Sequence, residues 1–347
     1  MRMERAIFFI SMILLLSAWV LQSEAQESRR IGLNTTLRSV GEEIKPIQAL
    51  GVNTIRVPLQ WQFIRIRPGE YDWSGVDRLI KGAQTKQIEI LFNIRTTFQQ
   101  DAQKRKSQRA PTQIKSGSVD IEPWLHFMET LANRYRGQGI SYEIENEVNE
   151  ENLWKGTLEE YLEMLKACYD VIKKADPQAK VLPPAMSCGI IRNFQPGVAR
   201  QEALKWHDKW LQAILSTRKF DVVNIHDYYF PSEIVANGLT FRGYLEHIQG
   251  LMKKSGLGDQ PIWITETGFV SKPTETSGRM DQGSPEKQAK WLTEAYQQTL
   301  EFGVEKIYWL LLNDRKEKEP YFGSMGLADA KGNPRPAWNA LKELIKK

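Results

Sequence analysis

The chain has 347 residues, 41% of them hydrophobic and 26% charged, and its formal net charge is +5 at neutral pH. This length supplies a large hydrophobic core, and so mild a charge does not by itself indicate a nucleic-acid partner. Two cysteines, Cys168 and Cys188, are too few for a disulfide scaffold or a cysteine-ligated metal site. They form either a disulfide or two buried thiols, and the sequence does not decide between these alternatives.

Residues 1–25 have the three-part pattern of a secretory signal peptide. Arg2 and Arg5 make the start positive, the stretch 6–21 is almost wholly apolar, and Ala25 stands at the expected cleavage site. An uncleaved membrane anchor is the alternative, because the apolar stretch nearly spans a bilayer. We therefore expect a signal peptide over 1–25 and a single mature domain over 26–347. This domain is expected to be secreted or periplasmic, with no stable membrane association after cleavage.

After the signal peptide, short apolar runs alternate with longer segments of helical periodicity. The stretch 158–175 repeats apolar residues at helical spacing, and Ser284 followed by Pro285 is typical of a helix start. The apolar runs are predicted as strands at 31–33, 52–57, 88–93, 140–146, 180–182, 220–225, 261–265 and 306–312. This alternation predicts an α/β domain whose parallel strands are joined by helices.

Eight strand candidates in one domain predict a (β/α)8 TIM barrel. An open, doubly wound sheet is the alternative, but it typically carries a glycine-rich phosphate loop after its first strand. The sequence has no such loop and no other cofactor or metal motif. We therefore expect a barrel that uses no cofactor and no metal.

In a TIM barrel the catalytic residues lie at the carboxyl ends of the strands. The fourth predicted strand ends at Asn146 and Glu147, and the seventh ends at Glu266. These two strand ends can face each other across the barrel mouth, which gives the pair of carboxylates that glycoside hydrolysis uses. Asn146 and Glu147 would point to opposite faces if the strand continued, so the strand must end or bulge there. Taken alone, Glu147 is equally well interpreted as a buried acid paired with a cation.

Five separated motifs carry a resemblance to a known group of enzymes. YEIENEVNE (142–150) and PIWITETGF (261–269) contain the two glutamates, and FDVVNIHDYY (220–229) covers the sixth strand. The stretch 50–80 covers the second strand, and the fifth motif, 303–314 together with 326–341, covers the eighth strand and the last helix. From about Gly32 onward the chain resembles the glycoside hydrolases of clan A, most nearly family 39 and its endoglycosidase-like relatives, with family 5 next. The resemblance implies a retaining glycosidase that acts on a poly- or oligosaccharide.

The resemblance also implies a role for the residues at the fourth, seventh and second strands. Glu147 is expected to be the acid/base and Glu266 the nucleophile. Asn146 is expected to hydrogen-bond the sugar 2-hydroxyl, and Arg56 to keep the nucleophile ionised by pairing with it. A structural ion pair is the alternative for Arg56.

The sixth and eighth strands supply the remaining expected contacts. Tyr228 is expected to orient Glu266, and His226 to line the sugar subsite, with a structural histidine as the alternative. Trp309 matches the aromatic platform beneath the sugar, because an indole ring suits the apolar face of a sugar.

The sequence departs from the clan pattern in two places. Glu145 and Val148 stand where the clan often has Trp and Pro. A basic segment stands where relatives usually have an aromatic loop after the third strand. It is typical of a solvated loop, while attraction of an anionic polysaccharide is the alternative. Its cations are Lys104, Arg105, Lys106, Arg109 and Lys115.

Two further functions remain open on the sequence alone. A non-catalytic glycan-binding barrel would share the fold, and a transglycosylase would share the covalent intermediate. The expected partner is a carbohydrate, with no nucleic acid. The sequence leaves open the sugar and linkage, endo or exo action, and the oligomeric state.

Overall fold

A computed structural model of the chain describes residues 31–96, 121–150, 153–154, 156–187, 198–228, 240–276, 279–316 and 320–346. Its main sheet has eight strands, and every adjacent pair in it is parallel. The strands are β1 (Ile31–Asn34), β2 (Thr54–Gln60), β3 (Glu89–Arg95), β4 (Ile140–Ile144), β5 (Val181–Leu182), β6 (Val223–His226), β7 (Ile262–Thr267) and β8 (Lys306–Trp309).

The sheet closes into a barrel. Its strand order runs from β5 back to β1 and then through β8 and β7 to β6, so β5 and β6 are the two ends of the ladder. Met186, just after β5, forms a parallel bridge with Ile225 of β6. Asp221 N also donates a hydrogen bond to Val181 O at 2.8 Å. The strands therefore follow one another around the ring in chain order, which confirms the predicted (β/α)8 barrel.

A helix follows each barrel strand. Thr157 and Glu160 form a capping box at the start of the fourth helix, and Ser284 caps the seventh ahead of Pro285, as the sequence predicts for the seventh. The helices are α1 (Val40–Leu50), α2 (Ser74–Gln84), α3 (Ile121–Arg134), α4 (Leu158–Ala175), α5 (Val198–Thr217), α6 (Phe241–Lys254), α7 (Pro285–Glu301) and α8 (Pro336–Ile345).

Short elements decorate the loops that follow β2, β7 and β8. Two are single-turn helices, Trp61–Ile64 and Pro320–Gly323. The others are two-stranded pairs, formed by Arg65–Arg67 with Glu70–Tyr71, Pro273–Thr276 with Arg279–Gln282, and Leu311–Asn313 with Gly326–Ala328.

A separate apolar cluster fills part of the barrel interior. Alternate strand side chains point inward, and five of them pack together apart from the main core between sheet and helices. Gly32 is required beside this cluster, because a Cβ there would lie 2.3 Å from Cδ1 of Tyr308. Nearer the carboxyl ends of the strands, the inward-facing positions carry polar side chains. The members of the cluster are Leu91, Leu182, Val222, Trp263 and Tyr308.

Several sequence-based predictions fall partly or wholly outside the described residues. The signal peptide and the basic segment after β3 both lie there, and so does Cys188. Cys168 is a buried free thiol whose Sγ accepts a hydrogen bond from Trp124 Nε1 at 3.1 Å. Across the described ranges, no helix is both long and apolar enough to cross a membrane.

Candidate active site

Arg56 on β2 is the centre of a polar cluster in the barrel mouth. Its side chain is 1% exposed and its guanidinium donates hydrogen bonds to four side chains. Nε and Nη2 form a fork with the Glu143 carboxylate at 2.6 and 3.0 Å. Nη1 reaches Glu266 at 2.6 Å and Asn34 at 2.9 Å, and Nη2 reaches Asn146 at 2.8 Å. The planar donor set of arginine thus ties together β1, β2, β7 and the end of β4.

A β-bulge near the end of β7 turns Glu266 into the barrel. Ile264 pairs with Ile307 and Thr267 with Trp309, so three steps along β7 oppose two steps along β8. The extra residue lets Thr265 and Glu266 both face inward, where strict alternation would send Glu266 to the helix layer.

The chain also turns sharply where β4 ends. The strand stops at Ile144, and Glu145 and Glu147 have φ angles of 69° and 47°, in the left-handed region that few non-glycine residues adopt. The N–H of Glu147 is held by the carbonyl of Ala185 at 3.0 Å. Asn146 and Glu147 therefore both reach the site, which confirms the prediction that the strand must end there. Such backbone strain is typical of functional sites.

His226 on β6 lies between the two predicted catalytic glutamates. Its Nδ1 shares a hydrogen bond with Glu147 Oε1 at 2.8 Å, and its Nε2 lies 3.8 Å from Glu266 Oε1. The second distance is too long for a hydrogen bond. One imidazole ring therefore contacts both carboxylates, and the structure brings His226, Glu147 and Glu266 together.

The four glutamates near the site fall into a buried pair and a partly exposed pair. Glu143 is 0% exposed and Glu145 is 2% exposed. Glu147 and Glu266 are 20% and 15% exposed. A molecule entering the barrel mouth therefore meets these last two carboxylates and not the first two.

The surroundings of Glu266 favour its ionised form. Burial raises the pKa of this carboxyl group, but the charges of His226 and Arg56 and a hydrogen bond from Tyr228 act against it. Tyr228 Oη donates to Glu266 Oε2 at 2.6 Å. Together these groups hold the pKa of Glu266 well below its usual range. Tyr228 and Arg56 thus occupy the positions that the sequence predicts for them.

Three residues of the site were not assigned from the sequence. Asn34 accepts from Arg56 and also donates from Nδ2 to Thr265 O at 3.0 Å, so it connects β1 with the bulge. Asn93 donates to the carbonyl of Glu145 at 2.7 Å and accepts from Arg95 Nε. The charge of Arg95 helps to lower the pKa of Glu266. Each lies at the carboxyl end of a strand, which is the signal that could have found it.

The structure contradicts the expectation for Trp309. Tyr308 points into the barrel, so the next residue points out toward the helices. Trp309 is 3% exposed, its ring lies 5.9 Å from that of Trp291 on α7, and its Nε1 donates to Met325 O at 2.8 Å. It is therefore a core residue. An aromatic ring that does lie beside the site is that of Phe322, which is 37% exposed and 5.4 Å from the Tyr228 ring.

Glu145 is a further carboxyl group beside the site, and its burial disfavours the ionised form. Burial raises its pKa to about 7, against the opposing hydrogen bonds from the backbone N–H and the hydroxyl of Thr96. Because the folded-state pKa exceeds the unfolded value, the protonated group stabilises the fold below about pH 4.5, and this stability is lost as the pH rises through about 7.

We expect Glu145→Gln to remove this pH dependence. Relative to the variant, the parent should lose about 2–3 kcal/mol of unfolding free energy between pH 5 and pH 8, since each pKa unit corresponds to about 1.4 kcal/mol. Urea unfolding of both proteins at the two pH values measures the difference. If the two pH dependences agree within about 0.5 kcal/mol, Glu145 does not carry a raised pKa.

Comparison with known proteins identifies the family. The chain matches the family model described as cellulase (glycosyl hydrolase family 5) over residues 29–314. The chain belongs to glycosyl hydrolase family 5. The resemblance to clan A is thereby confirmed, and of the two branches considered the family model supports family 5. No curated protein matches the chain.

Solved structures share the fold of this family 5 chain. A family 39 glycoside hydrolase from Bacteroides cellulosilyticus WH2 has a TM-score of 0.63 at 15% identity, covering 92% of this chain and 64% of that one. A GH5_18 protein from Bifidobacterium longum subsp. infantis has a TM-score of 0.65 at 14% identity, covering 92% and 78%. A mutant form of Thermotoga maritima Cel5A, in complex with cellobiose, has a TM-score of 0.57 at 16% identity, covering 93% and 98%.

The length covered differs among these structures. The chain spans only 64% of the family 39 enzyme and 63% of a glucosidase from Croceicoccus marinus. At these identities the likeness concerns the barrel fold, and the chemistry has to be argued from the side chains of this chain.

Proposed function

We propose that this family 5 chain hydrolyses O-glycosidic bonds of a poly- or oligosaccharide by double displacement. Glu266 is the nucleophile and Glu147 the acid/base. The proposal rests on the different surroundings of these two partly exposed carboxylates, which both lie beside the ring of His226. One is held ionised by several donors, while the other has few partners.

Glu266 is suited to attack because it remains a carboxylate. Arg56 and Tyr228 donate to different oxygens of the group, and the pKa stays well below neutral pH. In the first step a Glu266 oxygen bonds to the anomeric carbon as the bond to the leaving oxygen breaks. In the second step a water molecule displaces Glu266 and gives the sugar its original anomeric configuration.

Glu147 is suited to exchange protons. Within the described residues its carboxyl group makes one hydrogen bond, to His226, and no ion pair with an arginine or lysine. It gives its proton to the leaving oxygen in the first step and takes one from water in the second. Asn146 completes the pocket: Arg56 holds its Oδ1, so its Nδ2 is available to donate to a sugar hydroxyl.

Glu147→Gln tests the acid role through the leaving group. We expect a loss of about 100- to 10,000-fold in kcat/KM on glycosides with a poor leaving group, because these need protonation. Aryl glycosides with an acidic phenol need no proton and should lose far less. The measurement is kcat/KM across a series of aryl glycosides, for the parent and the variant. An equal loss across the series would contradict the role.

Hydrolysis, glycan binding and transglycosylation predict different results when the same protein preparation is assayed. The chain is incubated with neutral and acidic polysaccharides, and new reducing ends, bound glycan and products formed with added acceptor sugars are measured. Hydrolysis predicts new reducing ends without an acceptor. Binding without release would favour the glycan-binding barrel, and acceptor-dependent products would favour a transglycosylase.

Secretion is part of the proposal and rests on residues 1–25 alone. Expression in a secreting host, followed by amino-terminal sequencing of the exported protein, should give Gln26 as the first residue. A cell-associated protein that retains residues 1–25 would favour the membrane anchor.

A further inference from the structure

A cluster of potential metal ligands lies outside the barrel, where α5 meets α6. His207 and Asp208 are on α5, and His247 is on α6. Asp208 Oδ1 is 3.0 Å from His207 Nδ1 and 2.8 Å from His247 Nε2. The three ligand atoms all lie within 4.8 Å of one another. Two imidazole nitrogens and one carboxylate oxygen from two helices thus lie in one small cluster.

The spacing of these atoms is close to that of a tetrahedral zinc site. Zinc binds imidazole nitrogen and carboxylate oxygen at about 2.0–2.2 Å, which places the ligand atoms about 3.3 Å apart. The two separations from Asp208 Oδ1, 3.0 and 2.8 Å, need a small expansion to admit the ion, and the two histidine nitrogens lie within 4.8 Å of each other. Imidazole and carboxylate ligands suit first-row divalent metals.

An outer partner holds the buried histidine in place. His207 is 0% exposed, and its Nε2 lies 2.8 Å from Tyr244 Oη on α6. A metal-binding histidine normally donates from its second ring nitrogen to such a partner, which fixes the ring and its tautomer. With the proton on Nε2 and donated to Tyr244, Nδ1 of His207 carries the lone pair that would bind a metal.

Access to the cluster comes from the solvent side. The side chains of Asp208 and His247 are 20% and 25% exposed, whereas His207 is fully buried beneath them. An ion can therefore reach the cluster, and water can complete its coordination.

We propose that His207, Asp208 and His247 bind one divalent transition-metal ion of the zinc type and thereby join α5 to α6. The site is separate from the catalytic carboxylates and does not depend on the proposed hydrolysis. In the absence of metal, the same three side chains form a hydrogen-bonded contact between the helices.

The test is a zinc titration of the full chain, purified without a polyhistidine tag and stripped of metal. Zn²⁺ competes against a chromophoric chelator, and the variants are His247→Gln and Asp208→Asn. His126→Gln is the matched control, because His126 is exposed and lies outside the cluster. His226→Gln controls for zinc binding beside Glu147 and Glu266.

We expect one zinc ion per parent chain, unchanged in His126→Gln and His226→Gln. Each cluster variant should lose more than about 100-fold in affinity, since even an outer partner is worth about 10- to 100-fold. Tyr244→Phe should show that smaller loss. Cobalt in place of zinc should give the intense visible absorption of four-coordinate Co²⁺ in the parent and lose it in His247→Gln.

Two results would overturn the proposal. One is zinc binding by His247→Gln and Asp208→Asn that is as tight as in the parent. The other is a parent chain that binds zinc no tighter than the cluster variants, which would leave a purely hydrogen-bonded contact. Circular dichroism of the metal-free proteins verifies that each variant is folded.

Discussion

Glu266→Gln should lower kcat by at least about 1000-fold, because an amide in place of the carboxylate removes the covalent route. The amide has nearly the same shape, and its oxygen still accepts from Arg56 or Tyr228. Folding should therefore be retained and KM should change little. The measurement is the rate of reducing-end release from whichever polysaccharide the parent cleaves.

Glu305→Gln is the matched control for this variant. Glu305 is also a glutamate with two donors, Lys180 Nζ at 3.0 Å and Trp263 Nε1 at 2.9 Å, but it precedes β8 at the opposite end of the barrel. Its amide variant should keep parental kcat. Activity of Glu266→Gln within about 10-fold of that control would identify a different nucleophile.

Arg56→Met should destabilise the chain by about 3–5 kcal/mol, the usual loss when one partner of a buried ion pair is removed. The fully buried Glu143 would lose both of its hydrogen bonds from the guanidinium. Urea unfolding at constant pH gives the free energy. Arg242→Met is the control, because Arg242 pairs with Glu246 and Glu301 while 52% exposed. That surface change should leave the unfolding free energy nearly unchanged, because exposed ion pairs are weak.

A second readout distinguishes a positioning role of Arg56 from a purely structural one. Arg56 lowers the pKa of Glu266, so its removal should raise that pKa. The acidic limb of the kcat/KM profile should then move to higher pH in Arg56→Met, and by less in Arg56→Lys, which keeps the charge but loses the planar fork. An acidic limb that stays in place would leave Arg56 with a structural role alone.

The sequence predicts the barrel well because its signal is repeated. Eight apolar runs and the helical segments between them agree with one architecture, so a weak strand such as Ile31–Asn34 is supported by the others. The positions of Glu147 and Glu266 followed from the rule that catalytic residues close the strands. The sequence also indicated that the fourth strand must end or bulge at Asn146 and Glu147, and the structure ends it at Ile144.

Side-chain direction was harder to predict. In β8 the run KIYWLLL is apolar on both faces, so its period does not show that Tyr308 points inward and Trp309 outward. In β7 the bulge brings Glu266 inward, where strict alternation would place it outward. Both outcomes depend on pairing with neighbouring strands, which no single segment encodes.

The metal-ligand cluster was not predicted for a similar reason. His207 and His247 are 40 positions apart on different helices and match no short metal motif. Packing of α5 against α6 brings them to the same carboxylate. A metal site assembled in this way becomes visible only when the helices are placed.

The central claim, that Glu266 is the nucleophile of a retaining glycosidase, is tested most directly by trapping the covalent intermediate. The reagent is a 2-fluoro glycoside of the sugar that the chain releases, with a good leaving group. The fluorine slows both formation and breakdown of the intermediate, while the good leaving group speeds only its formation, so the intermediate accumulates. Mass spectrometry of the inactivated protein should show one added sugar, on the peptide that contains Glu266. A sugar attached to another carboxylate, or inactivation without any attached sugar, would contradict the assignment.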